Sequence, residues 1–309
     1  MIEVILFLAL DCAPCHQAIA TSFAKTPMAN SSGKVTQFRV AEFTHAPSST
    51  KYKIEASGIV SIETPEAKAR QRLDYFIGSG SHGQSFLFVR NRKLYEAPIT
   101  NYAHKGWAAS PGYESDKNSD WTRPVTRGCL WCHASGTRPI YGTLNSYADP
   151  VFTHGGISCE RCHAVTNKHF NNPVKMEAEA RNDVCRQCHL LAERRDLPGK
   201  SFFEFKPGMK LSGLVTYRSK AQTVEAPLGT TSHFERLEQS ACAKASGEKL
   251  WCGTCHSPHP TVARDRNQAC LTCHADQKGK RGGDCVTCHM PRNPAPDSGH
   301  AVFTDHWIR

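Results

Sequence analysis

Apolar and polar residues alternate most regularly between residues 35 and 125. Runs with a two-residue period lie at 35–43, 52–55, 59–63, 73–77, 85–89 and 94–99, and the turn residues Gly78-Ser-Gly80 and Asn91-Arg92 interrupt them. Side chains on a strand point alternately to opposite faces, so this pattern predicts a small antiparallel β-meander. Helical signals are shorter. Residues 15–28 read as one helix stopped near Pro27. Residues 182–195 read as a second, with Asn182 or Asp183 as N-cap and Pro198-Gly199 past its end. Residues 233–238 read as a third. The rest has neither period. No apolar run reaches the ~20 residues that a membrane-spanning helix needs, so no membrane span is expected.

The stretches without a period carry one recurring motif, C-x-x-C-H. It stands at Cys12/Cys15/His16, Cys129/Cys132/His133, Cys159/Cys162/His163, Cys185/Cys188/His189, Cys252/Cys255/His256, Cys270/Cys273/His274 and Cys285/Cys288/His289. These seven copies use 14 of the 15 cysteines. C-x-x-C-H is the attachment sequence of c-type haem. Two intervening residues let both sulfurs reach one porphyrin edge, where they form thioethers, and the next residue swings under the iron. Zinc ribbons also pair C-x-x-C, but they need four ligands per metal and no His at a fixed offset. Here His follows the second Cys every time, so seven covalently bound haems are expected. Cys242 is left over and reads as a buried free thiol, with an intermolecular disulfide or a place near a haem edge as alternatives.

Composition fits this reading. Only 39% of the residues are hydrophobic, and Gly (22) and Pro (18) suit a loop-rich wrapper. Haem faces can replace much of the usual aliphatic core. The expected fold class is a multihaem cytochrome c, mostly α and coil wrapped round stacked haems, with a small antiparallel β-rich insertion. The expected segments are 1–34 with the first haem, 35–125 as the haem-free insertion, 126–200 with three haems, 201–251 as an extended haem-free linker, and 252–309 with three haems and a ligand tail. The insertion reads as a lid or docking platform over haem edges, in preference to a substrate pocket.

The formal charge of +10 does not point to nucleic acid. Two propionates per ferric haem add about −1 net each, so seven leave roughly +3, and the lysines balance propionates. Covalent haem attachment takes place outside the cytoplasmic membrane, so a periplasmic or extracellular location is expected. Residues 1–10 are apolar but lack a cationic start and a small-residue cleavage site. The expectation is an upstream start or a fragment.

Each iron needs a second ligand. Of 16 His, nine lie outside the motifs: His45, His82, His104, His154, His169, His233, His259, His300 and His306. Nine are enough for seven irons. His259, three residues past His256, is too close to reach the far face of its own haem but suits a neighbour's.

Gly156-Ile-Ser-Cys-Glu-Arg-Cys-His163 with His169 beyond it resembles a segment of the cytochrome c-554 type multihaem cytochromes. Gly78-Ser-Gly-Ser-His82 and Trp107-Ala-Ala-Ser-Pro-Gly112 resemble that family's haem-free segment. Leu250-Trp-Cys-Gly-Thr-Cys-His-Ser-Pro-His259 and Cys285-Val-Thr-Cys-His-Met-Pro-Arg292, with His300 and His306, resemble its C-terminal part. The resemblance implies bis-His haems with His45, His82, His169, His233, His259, His300 and His306 as distal ligands. It also implies a cytochrome module that some similar proteins extend with helical repeats. The function expected is electron transfer through closely packed haems in extracytoplasmic respiration, with other redox proteins as donor and acceptor. The alternatives are a multihaem oxidoreductase acting on a small nitrogen or sulfur compound at one open haem, and a subunit of a filament, homo-oligomer or larger complex. No C-x-x-C-K motif marks a catalytic haem.

Overall fold

The computed structural model describes residues 12–118, 120–164, 172–219, 228–260, 266–277 and 284–309. A short helix α1 (Gln17–Phe23) follows the first motif. Then come β1 (Ser32–Lys34), β2 (Ala41–His45), β3 (Thr50–Ile54), β4 (Ile59–Glu63), β5 (Lys68–Arg72), β6 (Tyr75–Ile77), β7 (Gly83–Arg90), β8 (Lys93–Tyr102) and β9 (Gly106–Ala109). They form two antiparallel sheets, one in the order β2-β3-β4-β5 and one in the order β1-β6-β7-β8-β9.

Residue alternation explains why these strands pack. In β3, Thr50, Tyr52 and Ile54 are buried while Lys51 and Lys53 are exposed. In β4, Val60 and Ile62 are buried. These residues meet Phe86, Phe88, Ala97 and Ile99 of the second sheet in one core. The two sheets therefore share an inner face, which a single meander would not provide. Leu87 and Leu94, on the other face of the five-stranded sheet, pack against Leu130, Val151 and Phe152.

After the sheets come α2 (Arg127–His133), β10 (Ala134–Pro139) and β11 (Tyr147–Gly155). They are followed by α3 (Ala178–Arg186), β12 (Ala192–Asp196) and β13 (Val215–Ser219). The C-terminal part holds α4 (His233–Gln239), α5 (Ala241–Ser246), α6 (Cys252–Cys255), α7 (Arg266–Leu271), α8 (Cys285–His289), β14 (Arg292–Pro294) and β15 (Val302–Thr304). Each of β10–β11, β12–β13 and β14–β15 is an antiparallel pair.

The expected fold class is corrected here. The chain is 25% helical and 30% strand, with several antiparallel sheets, and is not mostly α and coil. Two physical reasons account for it. A C-x-x-C-H motif needs only one helical turn, so its helices stay short: α6 has 4 residues and α3, the longest, has 9. The chain between motifs satisfies its backbone by pairing with itself as hairpins. The helix expected over 182–195 is also corrected. α3 starts at Ala178, and β12 takes over from Ala192. Asp183 lies inside α3 as a buried anchor. Its carboxylate accepts from Arg186 Nη1 at 2.9 Å and from the Leu211 backbone N–H at 2.7 Å.

Candidate haem centres

All seven motifs adopt a helical turn. The His N–H donates to the carbonyl of the first Cys at 2.9 Å in Cys12/His16, Cys159/His163, Cys185/His189, Cys252/His256 and Cys270/His274. The other two motifs lie wholly inside α2 and α8. One turn brings the two thiols and the following imidazole to one side of the backbone, which the attachment chemistry requires. Local caps set the turns. Asp284 caps α8 through Val286 N–H at 3.0 Å, and Asn267 Oδ1 accepts from Cys285 N–H at 2.8 Å.

The thiols also meet between motifs. Cys12 lies in hydrogen-bonding reach of Cys159, Cys132 of Cys188, Cys185 of Cys252, and Cys270 of Cys285. The shared hydrogen bond lowers Cys132 and Cys252 and raises Cys188 and Cys185, with burial raising the latter two further. Cys159 is pushed up to about 11 by burial and by the Cys12 thiol beside it. None of the 15 cysteines is joined to another in a disulfide. These contacts tie the first motif to the third, the second to the fourth, the fourth to the fifth and the sixth to the seventh.

The motifs are not covered equally. Cys15, Cys129, Cys255, Cys273 and Cys288 are exposed, while the other motif cysteines are half-buried. Among the motif histidines, His16, His189, His256, His274 and His289 are exposed, and His133 and His163 are half-buried. The sequence leads one to expect closely packed centres throughout. Around Cys15, Cys273, His274 and Cys288 the polypeptide itself does not close over the donors. The physical reason is the company they keep. Ala13, Pro14, Thr272, Ala275, Asp276 and Thr287 are small or polar and are themselves exposed, so these immediate neighbours offer the donors little apolar cover.

One backbone position makes the first of the thiol contacts possible. Gly156 has a φ of 71°, and a Cβ there would lie 2.0 Å from the Ala29 carbonyl oxygen. Ile157 N–H donates to Met28 O at 2.9 Å and Gly156 N–H to Ser32 Oγ at 2.9 Å. Only glycine lets the chain before Cys159 pass this close to the chain after His16.

Several histidines outside the motifs come to motif histidines. His259 stacks beside His163 with ring centroids 5.8 Å apart and 22° between planes. His306 lies 5.9 Å from His256, and His233 lies 4.9 Å from His189 and 4.6 Å from His306. Two imidazoles sharing one metal, each bound at ~2.0–2.1 Å as in zinc sites, put their nitrogens about 4 Å apart and their ring centres about 6 Å apart. The His163/His259 and His256/His306 pairs have that centre-to-centre spacing. Burial first, and the neighbouring imidazoles second, hold His233 down to about 3 and His306 down to about 4. Both are therefore neutral at physiological pH, the state in which imidazole binds a metal.

The other expected ligands are placed differently. His45 is engaged at both nitrogens, Nδ1 by Ser48 Oγ at 2.8 Å and Nε2 by the Glu114 carbonyl at 3.2 Å. His45 and His300 line one cavity of about 290 Å³ with Lys105, Trp107 and Glu114. His300 meets the Tyr102 ring edge-on at 5.1 Å. His82 stacks on Phe303 at 4.4 Å. His169 lies outside the described residues. His154, on β11 opposite Ser135, is exposed close to the second motif. His133 has a buried Nδ1 with no hydrogen-bond partner. His289 Nδ1 donates to the Arg309 carbonyl.

Two residues beside these ligands escape sequence reading. Arg236 and Asp305 form a buried ion pair between residues 69 apart. Nothing in their spacing announces it, although each stands within three residues of a spare His.

The donor set fits haem c: thiols in pairs on one turn, an imidazole behind them, and neutral imidazoles opposite. Bound haem supplies the one-electron couple, while the chain supplies attachment and axial nitrogens. Among the described residues no helix is long and apolar enough to cross a membrane.

The family model for cytochrome c554 and c-prime matches residues 100–164, which hold the second and third motifs. A multiheme cytochrome, MtrA of Shewanella baltica (strain OS185), is 21% identical over 181 residues, covering 50% of this chain and 54% of that protein. The chain thus spans about half the length of the curated relative it matches. No solved structure matches. With the C-x-x-C-H turns and paired histidines described above, these matches support a multihaem c-type cytochrome.

Proposed function

We propose that the chain carries electrons through seven covalently bound haems c, each held by two histidines, in extracytoplasmic respiration. The observation that carries this reading is the cluster of His189, His233, His256 and His306. It joins the fourth and fifth motifs through two histidines from elsewhere in the chain. Ligands that cross from one motif's surroundings to another's keep irons close, and closeness is what stepwise transfer requires. The assignments are His163/His259 and His256/His306 by ring spacing, with His233 placed for the iron of His189 by its nearness to that ring. Donor and acceptor are other redox proteins outside the cytoplasm, where haem attachment takes place.

The test is an EPR spectrum of the fully oxidised protein beside a haem count from its pyridine haemochrome. Seven haems, all low-spin, are expected. A high-spin signal near one haem equivalent would overturn the bis-His reading and favour an oxidoreductase with one open iron.

A further inference from the structure

We propose that the buried Arg236–Asp305 ion pair is the positioning device that holds His233 and His306 at neighbouring irons. The proposal rests on the reading that these two histidines are ligands. The side chains are 3% and 0% exposed. Arg236 Nε donates to Asp305 Oδ1 at 3.0 Å and Nη2 to Oδ2 at 2.7 Å. A buried ion pair loses much of its attraction to desolvation, and apolar replacements are often as stable. Its distinctive contribution is direction. The planar guanidinium fork fixes both distance and angle, which an ammonium or an apolar contact does not.

The direction fixed here is that of two ligands. Arg236 stands three residues after His233 on α4, so the two side chains share a face. The start of α4 is tied to the fourth motif, where Phe234 N–H donates to His189 O at 3.1 Å and Leu191 N–H to Glu235 Oε2 at 3.3 Å. Asp305 precedes His306. Its Oδ1 also accepts from Trp307 N–H at 2.9 Å, and its own N–H donates to Pro291 O at 2.9 Å. The carboxylate therefore holds the backbone after His306, and the Asp305 N–H holds the backbone before it. His306 Nδ1 faces the Thr304 carbonyl at 3.1 Å. A carbonyl can only accept, so Nδ1 carries the proton and Nε2 the lone pair. That is the arrangement outer-shell partners impose on metal-binding imidazoles. The ion pair is thus a direct bond between the backbone segments that carry the two histidines.

The test compares oxidised holoprotein variants by EPR, with haem count and unfolding midpoint measured on the same samples. Arg236→Lys and Asp305→Asn are expected to shift the g values of up to two haem equivalents, or turn them high-spin, with every haem still attached. The double variant Arg236→Met/Asp305→Leu removes both charges and leaves neither stranded. It should show the same spectral change at wild-type haem content and midpoint. His233→Ala and His306→Ala test the underlying reading, each being expected to yield one high-spin equivalent. If they do not, the ligand reading falls and this inference with it. If they do, and the ion-pair variants keep the wild-type spectrum, the positioning role is overturned while the ligands stand. Loss of haem or a lowered midpoint in the double variant would also overturn it, because the pair would then serve stability.

Discussion

The paired sheets of residues 32–109 and the C-terminal region of residues 228–309 are built on different principles. The sheets bury Tyr52, Ile54, Val60, Ile62, Leu73, Phe86, Phe88 and Ile99 against one another. Past residue 227, the only buried hydrophobic residues among those described are Leu228, Ala295 and Ala301. What is buried there instead is polar: Ser232, Glu235, Arg236, Ser240, Ser298 and Asp305. The first region makes its own interior. The second arranges donors and leaves the apolar mass to come from the haems. Composition averaged over the chain hides this, because a modest hydrophobic share is the mean of one conventional core and one nearly absent core.

The largest expected effect separates the regions outright. In full-length chain made without haem attachment, hydrogen exchange should find amides of β7 and β8 protected, while those of residues 228–309 exchange as in an unfolded chain. Protection of the C-terminal region in that sample would break the contrast. A smaller effect sharpens it from the other side. Phe88→Ala deletes a fully buried ring of the sheet core and should cost about 3–5 kcal/mol in denaturant unfolding. Haem count and EPR spectrum should stay unchanged, and a lost ligand signal would mean that the sheets also hold the haems.

The smallest effect lies in the polar interior. Burial pushes the Glu235 carboxyl up to about 7 from an ordinary value of 4.5, against the opposing hydrogen bond from Leu191. Between those values the folded chain holds a proton that the unfolded chain has released. The stability from this group is full below pH 4.5 and is lost as pH rises through 7, at most about 3 kcal/mol in all. Wild type should therefore weaken as pH rises from about 4.5 to 7, and Glu235→Gln should flatten that decline. His233 and His306, held low in the fold, act in the opposite direction over part of the same range, so the reading is the difference between wild type and Glu235→Gln. A decline that survives in the glutamine variant would assign it to another group.

Much of this was legible in the chain, and the misses have physical causes. The attachment turns were readable because covalent chemistry dictates their spacing. Spacing says nothing of cover, however, and the exposure of Cys273 and His274 beside the half-buried Cys132 and His133 is set by what packs nearby. Strand positions such as Tyr52 and Val60 were readable because alternation is local. The splitting of the strands into two facing sheets was not, because β5 and β6 follow each other in sequence yet join different sheets. The helix expected at 182–195 failed on Asp183. This residue has an N-cap's chemistry, but its carboxylate is used by Leu211, 28 residues away. For the ligands, the position of His259 after its motif argued against its own haem, and its ring lies beside that of His163. The contact of His306 with His256 joins parts of the chain 50 residues apart, and local pattern does not carry that distance.

The thiol contacts between motifs have a consequence for biosynthesis. Cys12 and Cys159, or Cys185 and Cys252, lie close enough to hydrogen-bond once the chain has folded. Any oxidant that reached them in that state could join them as cystines, and a cystine has no thiol left to add to a vinyl group. Oxidation ahead of attachment would therefore cost a haem at both motifs of each pair.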